Sequence, residues 1–112
     1  MSLTVPESEF GYSKPKVERL KKEFQTLVTK WRDETEDSSI LALRFIHPSY
    51  LRIIGMGPVA IPWVLSELKS RPDWWFDALK AMTGEEPVTG TANFDSATAA
   101  WLAWGRAHHY DV

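Results

Sequence analysis

Between Ser13 and Asp33, the apolar residues Val17, Leu20, Phe24, Leu27, Val28 and Trp31 recur at helical steps and share one face of an α-helix. A helix this long with a single apolar stripe is stable only when the stripe is covered, so the rest of the chain must supply the facing surface. Ser13 suits the N-cap, and Pro15 falls in the first turn, where its missing N–H is not needed.

After Asp33, prolines and glycines divide the chain so that only short helices fit. A first short helix is expected over Ile40–Ile46, capped by Ser38 or Ser39. His47-Pro48 interrupts it, and Pro48 opens another helix to Ile54, closed by Gly55 or Gly57 at positive φ. The next is read over Val59–Leu68, with Pro62 inside it or at its true start. Pro72 and Asp73 open a helix to Thr83 that ends at Gly84, with Trp74 or Trp75, Ala78, Leu79 and Met82 as its buried stripe. The last helix is expected from Ala97 to about His108, capped by Asp95 or Ser96 and carrying Ala100, Trp101, Trp104 and Ala107. The acidic stretch from Asp33 to Ser39 and residues 85–94 read as loops. Residues 1–12 read as an extended arm whose end Phe10 and Tyr12 pin to the core, and residues 13–112 as a single helical domain. No alternating strand pattern stands out, so the expected class is all-α, a compact bundle of about five to six short helices.

Composition bounds the chemistry. Among 112 residues, 44% are hydrophobic and six are tryptophan, enough for one core and unlike a disordered chain. No cysteine is present, which removes disulfides, thiol nucleophiles and zinc–thiolate sites. A net charge of −2 gives the whole chain no pull towards nucleic acid or an acidic membrane. No apolar run reaches the roughly 18 residues of a membrane span, and the N-terminus lacks a basic-then-apolar leader pattern, so the expectation is a cytoplasmic protein without a membrane partner.

The run Leu51-Arg52-Ile53-Ile54-Gly55-Met56-Gly57-Pro58-Val59-Ala60-Ile61-Pro62-Trp63-Val64-Leu65-Ser66-Glu67-Leu68 resembles the joint between two units of a HEAT-type helical repeat. One helix ends in glycine, and the next begins with small and apolar residues, carries a proline and ends in a leucine-rich face. Asp73–Gly84, with Ala78 and Leu79 in its middle, resembles the following helix, and Trp101-Leu102-Ala103-Trp104 is similar to the close of short HEAT-like bacterial proteins. The motifs His47-Pro48-Ser49-Tyr50, Ile53-Ile54-Gly55-Met56-Gly57 and Pro72-Asp73-Trp74-Trp75-Phe76 are similar to segments of small prokaryotic helical proteins. The resemblance spans about residues 48–104. It implies a HEAT-like bundle with room for about one and a half units, and a role in binding proteins or nucleic acids.

The polar residues give no catalytic constellation. His47, His108 and His109 are the only histidines. His108 and His109 are adjacent, so on a helix they point about 100° apart and do not chelate; they read as a frayed last turn. His47 reads as a helix-start residue with no carboxylate at helical spacing to orient it. Asp33, Glu34, Glu36 and Asp37 read as a solvated loop. No nucleophile elbow, phosphate-binding glycine loop or His-Glu-x-x-His is present, so no catalytic, cofactor or metal residue is assigned.

Two binding signals remain. Trp74, Trp75 and Phe76, consecutive on a helix, cannot all face one core, so they are expected to contact a protein partner, with Trp63 as a further contact. Seven cations against two carboxylates between Lys14 and Arg32 form a basic face that offers Lys14, Arg19, Lys21, Lys22, Lys30 and Arg32 to nucleic acid. The reading is a non-catalytic protein–protein interaction module of adaptor, antitoxin or immunity type from a prokaryote. The alternative is a nucleic-acid-binding accessory protein. The oligomeric state is left open.

Overall fold

The long stripe forms the helix it predicts. In the computed structural model, which describes residues 11–112, α1 spans Lys14–Thr35. Ser13 is extended, its hydroxyl accepts the Lys16 N–H at 3.4 Å, and Pro15 sits in the first turn. Phe24, Val28 and Trp31 are buried. The helix runs on past Asp33 because Thr35, one turn beyond Trp31, is buried on the same face and its hydroxyl donates to the Trp31 carbonyl at 2.6 Å. The expected arm lies outside the described residues except at its end, where half-buried Tyr12 packs on the core.

The following helices are short. α2 is a single turn, Ala42–Phe45, because Ser38 accepts the Ile40 N–H at 3.2 Å ahead of the helix and does not cap it. α3 spans Pro48–Gly55; His47 is its N-cap, and its Nδ1 accepts the Ser49 N–H at 3.0 Å. Gly55 is the last helical residue, and Gly57 takes the left-handed conformation at φ 75°, which glycine adopts without a Cβ clash. A 3₁₀ turn, Gly57–Ala60, leads into α4, Ile61–Ser70. Pro62 lies in the first turn of α4, where it breaks no hydrogen bond. The chain bends by 109° between α3 and the segment Gly57–Ser70.

α5 spans Phe76–Thr83 and ends at left-handed Gly84. α6 spans Phe94–Ala107, starting earlier than Asp95 or Ser96 would set it. Its cap is Asn93: the Asn93 side-chain oxygen accepts the Ser96 N–H at 2.8 Å, and the Ser96 hydroxyl accepts the Asn93 N–H at 3.0 Å. The C-terminal turn is ordered, not frayed. His109 is left-handed at φ 68°, its N–H reaches the Arg106 carbonyl at 3.1 Å, and the Tyr110 N–H reaches the Gly105 carbonyl at 2.9 Å. This is a Schellman closure with histidine where glycine is usual. It folds the tail back, so that a Cβ on Gly105 would lie 2.9 Å from the Val112 side chain and 3.0 Å from Leu65.

α3 packs between α1 and α5, and α4 packs against α6. At the centre Trp31, Tyr50 and Trp75, from three separate segments, are wholly removed from solvent. Their ring centroids lie 4.6 to 5.7 Å apart, with Tyr50 stacked parallel to Trp75. The Trp31 indole N–H donates to the Arg44 carbonyl at 2.9 Å and ties α2 to α1. Val64, Leu65, Leu68 and Trp101 extend the core towards α6. Each such side chain contributes about 2 kcal/mol through removal from water. Among the described residues there is no strand, and no single helix is long and apolar enough to cross a membrane.

Candidate functional site

The segment before α5 decides where the consecutive aromatic residues point. The sequence pattern starts this helix at Pro72, yet it starts at Phe76. Asp73 is the reason. Its carboxylate accepts the Trp74 N–H at 2.8 Å and lies 3.5 Å from Arg32 Nε and 3.9 Å from Arg44 Nη1, so it anchors a turn instead of capping a helix. Trp74 and Trp75 therefore precede the helix. Trp75, expected as a partner contact, is wholly buried between Trp31 and Tyr50 and belongs to the core. Trp74 and Phe76 are half-buried and meet Phe94, from the start of α6.

These three rings line a cleft of about 430 Å³ between α5 and α6, with Val88 from the intervening loop and Trp101 beneath. The rings stand edge to face, at 4.9 Å for Trp74–Phe94, 5.3 Å for Phe76–Phe94 and 5.9 Å for Trp74–Phe76. Trp63, the remaining expected contact, is half-buried on α4 against Phe24 at 5.8 Å and does not line this cleft. Phe94 was not anticipated, since nothing in the pattern relates it to residues 74 and 76 before the 85–94 loop folds back.

A second surface also escaped the sequence reading. Ile40, Leu41, Leu43, Ile46 and Leu51 are 59, 38, 44, 64 and 50% exposed, and all the exposed large apolar side chains among the described residues fall in this stretch. A signal was present. Ile40–Ile46 has one polar residue, Arg44, in seven, and a helix of a single turn cannot bury apolar side chains on every side.

The basic face is divided. Arg32 is drawn inward, its side chain 11% exposed, pairing with Glu67 at 3.3 Å and Asp73 at 3.5 Å and donating to the Arg71 carbonyl at 2.9 Å. It is a structural cation and not one offered to nucleic acid. Lys14, Arg19, Lys21, Lys22 and Lys30 are exposed. At 100° per residue they spread over about half the circumference of α1, with Glu18 and Glu23 on the same helix. Glu23 is bound by Arg52 through two bonds of 2.8 and 3.2 Å, which hold its carboxyl below the usual carboxylate range.

Several of the polar groups that could suggest chemistry are paired with one another, Arg32 and Arg44 with Asp73 and His47 with Glu34. A cleft of about 320 Å³ is lined by Arg32, Arg44 and Arg71 against Asp33, Glu36 and Asp73, three charges of each sign. His47 has its carboxylate after all: Nε2 lies 2.8 Å from Glu34, thirteen residues back, because the end of α1 meets the start of α3. With Nδ1 accepting the Ser49 N–H, Nε2 carries the proton and donates, so both ring nitrogens are occupied in holding the fold. Among the described residues no group of three or more His, Asp or Glu is placed to hold a metal ion. No family model, curated protein or solved structure matches this chain.

Proposed function

We propose that this chain is a protein–protein interaction module whose partner docks on residues 40–51, the stretch that holds α2 and the first turn of α3. The observation that carries the reading is the confinement of Ile40, Leu41, Leu43, Ile46 and Leu51 to one short stretch, each more than a third exposed. Single apolar residues scattered over a surface are ordinary, whereas a concentration of this kind marks a contact site. Covering it with a partner returns about 25 cal/mol for each Å² of apolar surface removed from water. The internal pairing of Arg32, Asp73, His47 and Glu34 fits a binding role better than a catalytic one. The HEAT-like joint over residues 51–68 supports the same reading by analogy, and an adaptor, antitoxin or immunity protein of a prokaryote is the kind of module it fits.

The test replaces Leu43 and Ile46 together with aspartate. Both side chains are exposed, so the melting temperature is expected to stay within about 2 °C of the parent. Tagged parent protein purified from its native cell should carry a stoichiometric partner that the double variant loses. A parent that recovers no partner, and does not self-associate in light scattering, overturns the reading.

A further inference from the structure

We propose that the cleft between α5 and α6 binds an organic cation, a guanidinium or N-alkylated ammonium head carried by a small molecule or by a side chain of another protein. Its walls are aromatic. Trp74, Phe76 and Phe94 meet one another edge to face, with interplanar angles of 68 to 86°. All three rings line the cleft and are only half-buried, and the face of an aromatic ring attracts cations. The charge at the rim has the matching sign. Asp77, Lys80 and Glu86 line the cleft, and Lys80 Nζ is bound to Glu86 at 2.9 Å. That pair is neutral, which leaves Asp77 as the excess charge and the cleft negative by one. A volume of about 430 Å³ admits an alkylated ammonium or a guanidinium with part of its stem. An anion would meet two carboxylates, and a neutral apolar guest would gain nothing from Asp77. This site shares no residue with the apolar stretch 40–51, so the proposal stands or falls apart from the docking reading.

The experiment titrates the full chain with choline and with its neutral carbon isostere, dimethylbutanol, following the tryptophan indole resonances by NMR. Choline is expected to bind about tenfold more tightly than the isostere, the fold-change that a difference of about 1.4 kcal/mol produces. Asp77→Asn and Trp74→Leu should each weaken choline binding about fivefold or more. Asp77 is exposed, so its variant keeps the test decisive if Trp74→Leu fails to fold. A parallel arm compares free choline and free arginine amide with short peptides carrying trimethyllysine or arginine. Tighter binding of the peptides assigns the cation to a protein tail, and equal or weaker binding assigns it to a small molecule. Equal or tighter binding of dimethylbutanol, or an Asp77→Asn variant that binds choline unchanged, overturns the proposal.

Discussion

Tyr50 shows how much one side chain does here. Its hydroxyl accepts the Ala78 N–H at 2.9 Å and donates to the Trp74 carbonyl at 3.0 Å. Ala78 is the third residue of α5, whose preceding residue Trp75 gives no side-chain cap, so a phenol from α3 satisfies a donor that a capping serine would otherwise take. Tyr50→Phe should cost about 1 to 3 kcal/mol in urea unfolding, since it leaves a buried N–H without a partner. Burial also pushes the phenol well above its ordinary value. The folded protein therefore holds this proton at pH values where the unfolded chain releases it. The stabilisation from this group is complete below about pH 10 and falls as the pH rises further, by up to about 1.4 kcal/mol per pH unit. Tyr50→Phe should lose this part of the alkaline slope while lowering stability at neutral pH; an unchanged alkaline slope would show that another group controls it. At this scale the sequence was half legible. Three adjacent aromatic residues read as consecutive on a helix, yet Trp74 and Trp75 precede α5, and which ring turned inward depended on Asp73 being held by Arg32 and Arg44 from other parts of the chain.

The helices were legible where local chemistry sets them. Ser13, Pro15, Pro48, Gly57 and Gly84 mark ends that backbone geometry requires, and the structure uses each of them. Boundaries moved where a distant contact intervened. Burial of Thr35 lengthened α1, the Asp73 turn shortened α5, and Asn93 displaced Asp95 and Ser96 as the cap of α6. The last turn was misread because histidine gives no sign of a Schellman closure, yet His109 adopts one at φ 68°. His109 is exposed, so His109→Gly removes the left-handed penalty without taking away packing. It should raise stability by about 1 kcal/mol in chemical denaturation. A loss of stability would mean that the imidazole itself holds the tail.

For the whole molecule, the all-helical class followed from periodicity, but the arrangement of the helices did not. Apolar spacing says that a face is buried and not which face covers it. The pairing of α3 with both α1 and α5 is expressed instead in contacts between residues far apart in sequence, such as Arg52 with Glu23 and Tyr50 with Ala78. The exposed stretch 40–51 was legible only in the density of apolar residues over Ile40–Ile46, because a single apolar residue looks the same in a sequence whether it is covered or not. Asp73 joins α1, α2 and the turn before α5, so Asp73→Ala should reduce stability by about 1 to 3 kcal/mol and leave Arg32 without its closest carboxylate after Glu67. A urea midpoint equal to that of the parent would show that this junction is dispensable. The meeting of Trp31, Tyr50 and Trp75 has a consequence for synthesis. A chain leaving the ribosome holds the first two rings but lacks the third until the turn before α5 has emerged, and α5 must follow to engage the phenol. No early fragment therefore has a finished interior, since the three rings can meet only once the turn before α5 is free.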